Sequence, residues 1–263
     1  MDNYPQRFIA LFVLIFGLFA PVHVSASSAV VDQQVNELIP VFKTGTAMDV
    51  KLAADSLAWT GISSARLFDV AESRLLQNYL LSSKDDVAIN GWLIKALAYS
   101  GNDKYRGTLE TMLDKSAPRK IRGYGKSGLK DLALFVRWNP EIDQNLAGLD
   151  QQEAEQQRVK NMLASADVEL LRVGAKRIYH VYHDDQVLLK LAEARLLKEY
   201  PADNDDKIFI DTMAWLCRGL ASSGDGQYKA AILAVEENAP TSKLRKYAKK
   251  FARQLPDADA VAP

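Results

Sequence analysis

The sequence predicts an all-α fold made of two tandem copies of one helical unit of about 110 residues. Three observations carry that expectation. Long blocks of residues recur in the same order at a nearly constant offset, the apolar residues inside them step by three and four, and no stretch alternates apolar with polar residues over the length of a strand.

The recurrence sets the domain limits. "WLIKALAYSGNDKY" at 92–105 returns as "WLCRGLASSGDGQY" at 215–228, an offset of 123, and "KIRGYGK" from Lys120 returns as "KLRKYAK" from Lys243 at the same offset. "AESRLLQNY" from Ala71 returns as "AEARLLKEY" from Ala192 at 121, while "DQQ" at Asp32 and "DV" at Asp49 return at 118, at Asp150 and Asp167. The copies are therefore read as 32–138 and 150–255. Between them lies a linker at 139–149, whose "NPEID" contains a proline that breaks the preceding helix.

Each copy is expected to hold five or six helices of roughly 10 to 18 residues. Leu93, Ala96 and Leu97, and their counterparts Leu216, Gly219 and Leu220, mark one helical face. Gly101 and Gly224 sit where a helix end wants a left-handed residue, and Asn102 or Asp225 can cap the next helix. Gly123, Gly125 and Gly128 crowd a single helix, at about 1 kcal/mol each against alanine, which predicts a bent or tightly packed segment.

The two ends read differently. Arg7, the apolar run "FIALFVLIFGLFA" at 8–20, Pro21 and the small-residue stretch "VSASSA" form a secretory signal peptide over 1–26, cleaved after Ala26. The run falls short of the roughly 20 residues a membrane span needs, so no span is expected after cleavage, with a retained anchor as the alternative. Residues 256–263 read as a disordered tail. Export leads to the periplasm or the exterior, and the lack of any Asn-x-Ser/Thr acceptor favours a bacterial periplasm.

Composition excludes more than it assigns. Lys plus Arg equals Asp plus Glu at 33 each, so no global charge draws the chain to nucleic acid, and export argues the same way. Cys217 is the only cysteine, so no internal disulfide can form, and its apolar neighbours place it in a core. Neither a nucleophile elbow nor a phosphate-cradling glycine loop occurs, and nothing calls for a cofactor.

Three groups of residues remain as candidate sites. In "YHVYHDD" at 179–185, His180 and His183 stand three apart and could face one metal. The register sets Trp59 and Ile62 opposite them, and the stretch reads instead as a turn in which Asp184 or Asp185 caps the next helix. Trp92 and Trp215, Tyr105 and Tyr228, and Tyr124 and Tyr247 recur in pairs, as core or as a ligand surface. Basic residues line two matching helices: Lys120, Arg122 and Lys126 in the first copy, and Lys243, Lys246, Lys250 and Arg253 in the second. They read as a solvated face or as an anion-binding surface for partners.

Four segments complete the pattern: "DVKLAADSLAWTG" from Asp49, "DVAINGWLIKALAYSGND" from Asp86, "DVELLRVGAKRIYH" from Asp167 and "DKIFIDTMAWLCRGLASSGD" from Asp206. With Ile121-Arg122 and Leu244-Arg245 opening later helices, the chain resembles the HEAT-repeat family. That resemblance implies paired helices stacked into a curved α-solenoid, with the helices from Lys120 and Lys243 in the inner, concave layer. The expected function is that of an exported, non-enzymatic binding or scaffold module whose partner is a protein or an anionic envelope component. The rival is an envelope enzyme, for instance one acting on glycan, with a Glu-centred site on the helical scaffold.

Overall fold

The computed structural model describes residues 29–257. The expected signal peptide lies outside the described residues, as does the tail from residue 258 onward. Among the described residues the chain is all-α, with twelve α-helices, two short 3-10 turns and no strand. The first half contains α1 (Ala29–Thr44), α2 (Ala47–Leu57), α3 (Ala65–Asn78), α4 (Lys84–Tyr99), α5 (Arg106–Thr111) and α6 (Arg119–Ile142). The second contains α7 (Gln151–Ala164), α8 (Val168–Val181), α9 (Gln186–Glu199), α10 (Lys207–Ser222), α11 (Lys229–Asn238) and α12 (Ser242–Ala252).

Short polar side chains start these helices. Thr46 with Asp49, and Asp150 with Glu153, close capping boxes on α2 and α7. Ser83, Asp167, Asp185 and Asp206 accept the first free amides of α4, α8, α9 and α10, so of the two aspartates after His183 it is Asp185 that caps. Gly101 and Gly224 take φ of +57° and +71° just past α4 and α10, and Asn102 and Asp225 cap the adjoining 3-10 turns.

Consecutive helices pair, from α1 with α2 through α11 with α12, and the pairs join along two rows, α2–α4–α6 and α8–α10–α12. Beside them α1 packs on α3, and α9 packs between α7 and α11. Leu93 and Leu97 of α4 and Leu216 and Leu220 of α10 are fully buried, each contributing about 1.5–3 kcal/mol through lost apolar exposure. Cys217 is buried among them, and burial pushes its thiol up to about 12, which leaves no reactive thiolate near neutral pH.

The segment from Arg119 departs from expectation in where it ends. It is one continuous helix of 24 residues that runs through Pro140 to Ile142, so the chain breaks later than the proline suggested. Pro140 lies in the last turn, where only one ladder bond is lost and Asp143 N still donates to Asn139 O. Two of the helix's three glycines, Gly125 and Gly128, are a packing device, in keeping with the tight packing expected, whereas nothing lies within 4 Å of a Cβ at Gly123. A Cβ on Gly125 would come within 2.8 Å of Met112 Cβ, and one on Gly128 within 3.1 Å of Ile94 Cγ2, so their absence lets α5 and α4 lie close against α6.

Arginines stitch the pairs together. Arg74 of α3 donates to Phe42 O and Gly45 O at 3.2 and 2.9 Å, and Arg195 of α9 donates to Ser165 O at 2.8 Å. Arg122 donates to Ala117 O at 2.6 Å and Arg245 to Ala239 O at 2.5 Å. Each satisfies carbonyls that have no partner within a helix. The spacing in "AESRLL" suggests a local pairing of glutamate with arginine, but Glu72 accepts from Thr108 and Arg74 turns to the loop carbonyls instead.

The halves meet through Phe135, Trp138 and Ile142 of α6, which bury against Met162 of α7 and Leu170 of α8. Arg158 of α7 also reaches Gln34 Oε1 of α1 at 2.9 Å, and the Arg177 guanidinium of α8 lies 4.5 Å over the Trp59 ring. The fourth helix pair therefore touches the first as well as the third.

Asp167 ties this junction together. Its Oδ2 accepts from Trp138 Nε1 at 2.9 Å and Arg137 Nη2 at 3.1 Å, while Oδ1 caps α8. Burial by itself would raise the carboxyl, but these bonds outweigh it and hold the group below the usual range. A carboxyl lowered by folding contributes stability in full above its unfolded pKa of about 4 and loses it as pH falls through the lower folded value. The expected result is a stability gap between wild type and Asp167→Asn, which keeps the capping oxygen, that is constant near neutrality and narrows as pH falls below about 4. Urea midpoints across that range check it. A gap that does not close in acid would take the ionised carboxylate out of the junction.

Candidate functional site

One ridge of α10 carries Asp211, Trp215 and Arg218, each partly exposed, with Ala214 buried between them, at steps of three and four. Tyr179 of α8 stands on one side of this ridge, and Tyr247, Lys250 and Phe251 of α12 on the other. Together with Gln254 they enclose a cleft of about 310 Å³, at the lower end of what a small-molecule group fills.

Inside the cleft cations lie on aromatic rings. The Arg218 guanidinium is 4.0 Å from the Tyr179 ring centre and 4.7 Å from that of Trp215, and its Nη2 donates to the Tyr179 hydroxyl at 2.8 Å. Lys176 Nζ sits 5.1 Å over the same Trp215 ring, which meets Tyr179 edge-on at 5.7 Å. Each cation–π contact contributes about 0.5–2 kcal/mol, which fixes the positive groups without neutralising them. Asp211 is engaged by Arg172 at 3.2 Å. The result is an aromatic-walled pocket in which Arg218 and Lys250 stand against one carboxylate, Asp211, already paired with Arg172, suited to a carboxylate, phosphate or sulfate flanked by apolar atoms.

The first half has a related arrangement around Trp92. Trp92 carries Lys95 at 4.0 Å and Lys51 at 5.8 Å, but Tyr124 lies flat against α4 at Gly91. A Cβ at Gly91 would come within 2.7 Å of the Tyr124 ring. Ala214 at the matching position carries that Cβ, and there Tyr247 stands as a wall of the cleft. One methyl group thus separates the two helix surfaces on which Tyr124 and Tyr247 lie.

The sequence-derived candidates divide accordingly. Of the basic residues, Lys250 lines the cleft. Lys120, Lys126, Lys243, Lys246 and Arg253 are exposed elsewhere on α6 and at α12, and Arg122 is held by Ala117 O. Tyr105 and Tyr228 are core residues, donating to Asp69 at 2.7 Å and Gln186 at 2.8 Å. His180 and His183 are exposed, with the His180 ring 6.1 Å from Trp215, and among the described residues no group of three or more His, Cys, Asp or Glu side chains could hold a metal. Sequence reasoning does not single out Arg218, Lys176 or Tyr179 as site residues. The signal that could have found them is an aromatic residue with a base three positions later, present in both halves as Trp92–Lys95 and Trp215–Arg218.

A larger cleft of about 750 Å³ opens at the junction of the halves, where Asp32, Ser63, Asn139 and Asp143 contribute polar groups. Dense packing beneath Asp143 pushes its carboxyl up to about 6, opposed by Arg158, although the side chain's exposure to solvent works against so large a rise. No protein-family model, curated protein or solved structure matches the chain.

Proposed function

We propose that the chain is an exported, non-enzymatic helical-repeat module that binds an anionic group of a protein or envelope polymer in the cleft between α8, α10 and α12. The observation that carries this reading is the convergence of Arg218 and Lys250 with Trp215, Tyr179 and Tyr247 in one pocket. Its architecture is read as HEAT-like hairpins in two tandem copies. In support, helices pair consecutively, and each half has six α-helices with one 3-10 turn between the fourth and the fifth. Contacts from the fourth pair back to the first favour a tightly coiled stack over an open one, in which each repeat would touch only its neighbours.

Capture from bacterial envelope extract tests the binding site. Arg218→Gln with Lys250→Gln is expected to lower recovery of the bound component at least tenfold. Lys243→Gln with Lys246→Gln, outside the cleft, is expected to leave capture within about twofold, since those charges act only across a Debye length of about 8 Å. Equal capture by the cleft variants, with helicity intact, would remove the cleft from the reading. The enzyme reading rests on Asp143 in the junction cleft rather than on a glutamate. Release of reducing ends from envelope glycan by wild type, lost in Asp143→Asn, would replace the binder with a hydrolase.

A further inference from the structure

We propose that the anionic group held between α8, α10 and α12 is the carboxylate of a hexuronic acid unit in a glycan, with Arg218 selecting the carboxylate and Tyr247 carrying the sugar ring. This rests on the cleft being an anion site, as proposed above, and commits it to one ligand class.

Arg218 is placed for a planar anion with two oxygens. Its guanidinium lies 4.0 Å from the Tyr179 ring centre and 4.7 Å from that of Trp215. Nη2 carries two hydrogens and gives one of them to the Tyr179 hydroxyl at 2.8 Å. Whichever it gives, one edge of the guanidinium, Nη2 with Nε or Nη2 with Nη1, keeps both of its hydrogens. Among the described residues Nε and Nη1 have no hydrogen-bond partner, and neither is a buried orphan, so both stay open to solvent. Two parallel N–H groups match the two oxygens of a carboxylate. A phosphate adds a third oxygen and up to a second charge, beside the Asp211 carboxylate that lines the same cleft.

The rest of the cleft calls for hydroxyls and a carbon face. Asp211 meets Arg172 through Oδ2 at 3.2 Å, which leaves Oδ1 as an acceptor without a partner among the described residues. An acceptor there takes an O–H of the ligand and repels a second anion. The Tyr179 hydroxyl, which accepts from Arg218, keeps its own hydrogen to donate, and Gln254 offers a donor and an acceptor. Of the four rings, Tyr179 and Trp215 carry cations and Phe251 is 8% exposed. Tyr247 is 36% exposed and meets neither a cation nor another ring among the described residues, so its face is open to the C–H side of a sugar. A ligand that joins a carboxylate, several hydroxyls and a flat apolar side on one small frame is a sugar acid, and a cleft of about 310 Å³ suits a single such unit. An acidic peptide shares the carboxylate but has no ring face to lay on Tyr247.

The probes are glucuronic acid, glucose, glucose 6-phosphate and an end-blocked tetra-aspartate peptide, each titrated against the full chain near neutral pH and followed by saturation-transfer NMR. Glucuronate is expected to bind saturably, glucose at least tenfold more weakly for want of the carboxylate, and the phosphate and the peptide more weakly than glucuronate. Arg218→Lys keeps the charge but loses the edge, and is expected to lower glucuronate affinity at least tenfold, as is Tyr247→Ala. Tyr179 is a positioning residue: Tyr179→Phe keeps the ring but frees Nη2, and the preference for glucuronate over glucose 6-phosphate is expected to fall about fivefold. Lys243→Gln, outside the cleft, is expected to change none of these affinities. Equal affinity for glucose and glucuronate, or unchanged glucuronate binding by Arg218→Lys with helicity intact, would overturn the proposal. No saturation by glucuronate, or tighter binding of the phosphate or the peptide, while envelope capture still falls in Arg218→Gln with Lys250→Gln, would overturn the uronate assignment and leave the anion cleft standing. No binding of any anionic probe, together with capture that this double variant does not lower, would remove both.

Discussion

Gly101→Ala is expected to destabilise the fold by about 2–5 kcal/mol, and Gly224→Ala by only about 1–2 kcal/mol, although the two glycines hold the same place in the two halves. Both adopt a left-handed backbone at a helix end, with φ of +57° and +71°, so both alanines incur the cost of a Cβ in that region. Only at Gly101 is there also no room. A Cβ there would lie 2.4 Å from Phe135 O and 2.8 Å from Asn139 Nδ2, the amide that donates to Tyr99 O, whereas at Gly224 nothing lies within 4 Å. Backbone at such a distance cannot rotate aside, so α6 would have to shift from the end of α4. Urea unfolding of the two variants measures the difference directly, and equal losses would mean that α6 yields without cost.

That pair also illustrates how much of this molecule can be read along the chain. The positive φ at Gly101 and Gly224, the caps at Asn102, Asp185 and Asp225, and the helical faces of α4 and α10 are local, set by residues within one turn of each other. Those features are legible in the sequence. The close approach of Phe135 to Gly101 is not, because it joins residues 34 positions apart whose spacing carries no pattern.

The same distinction holds for the site. Basic residues crowded on one helix point to α12, yet only Lys250 of that stripe lines the cleft, because the cleft needs three helices at once. Arg218 looks ordinary in sequence. It acquires a role when α8 brings Tyr179 to its Nη2 and α10 sets Trp215 one turn away. Trp215 reads in sequence chiefly as a core residue, since aromatics at helical spacing usually are, and it does pack on the core with one side, while Arg218 and Lys176 lie over its ring at the cleft. Gly91 and Ala214, of which only the first lets a tyrosine ring lie against the helix backbone, differ by a single methyl that periodicity cannot register.

The junction gives the second large effect, since the two halves depend on a few side chains for their union. Trp138 is only 6% exposed, meets Phe135 edge-on at 5.3 Å and donates Nε1 to Asp167 at 2.9 Å. Trp138→Ala is expected to cost about 3–5 kcal/mol, combining the lost transfer energy of the ring with the cavity left against Met162 and Leu170. Trp138→Phe retains much of the packing and loses the bond to a charged acceptor, for a cost of about 1.5–3 kcal/mol. The alanine variant should also change the shape of unfolding. Each half keeps its own apolar core, so with the junction weakened a single urea transition is expected to separate into two. Near-ultraviolet circular dichroism and far-ultraviolet ellipticity, recorded together through the titration, would show the separation as non-coincident curves. A single coincident transition in Trp138→Ala, displaced by less than about 1 kcal/mol, would mean that the contacts of Arg158 with Gln34 and of Arg177 with Trp59 hold the halves together without the tryptophan.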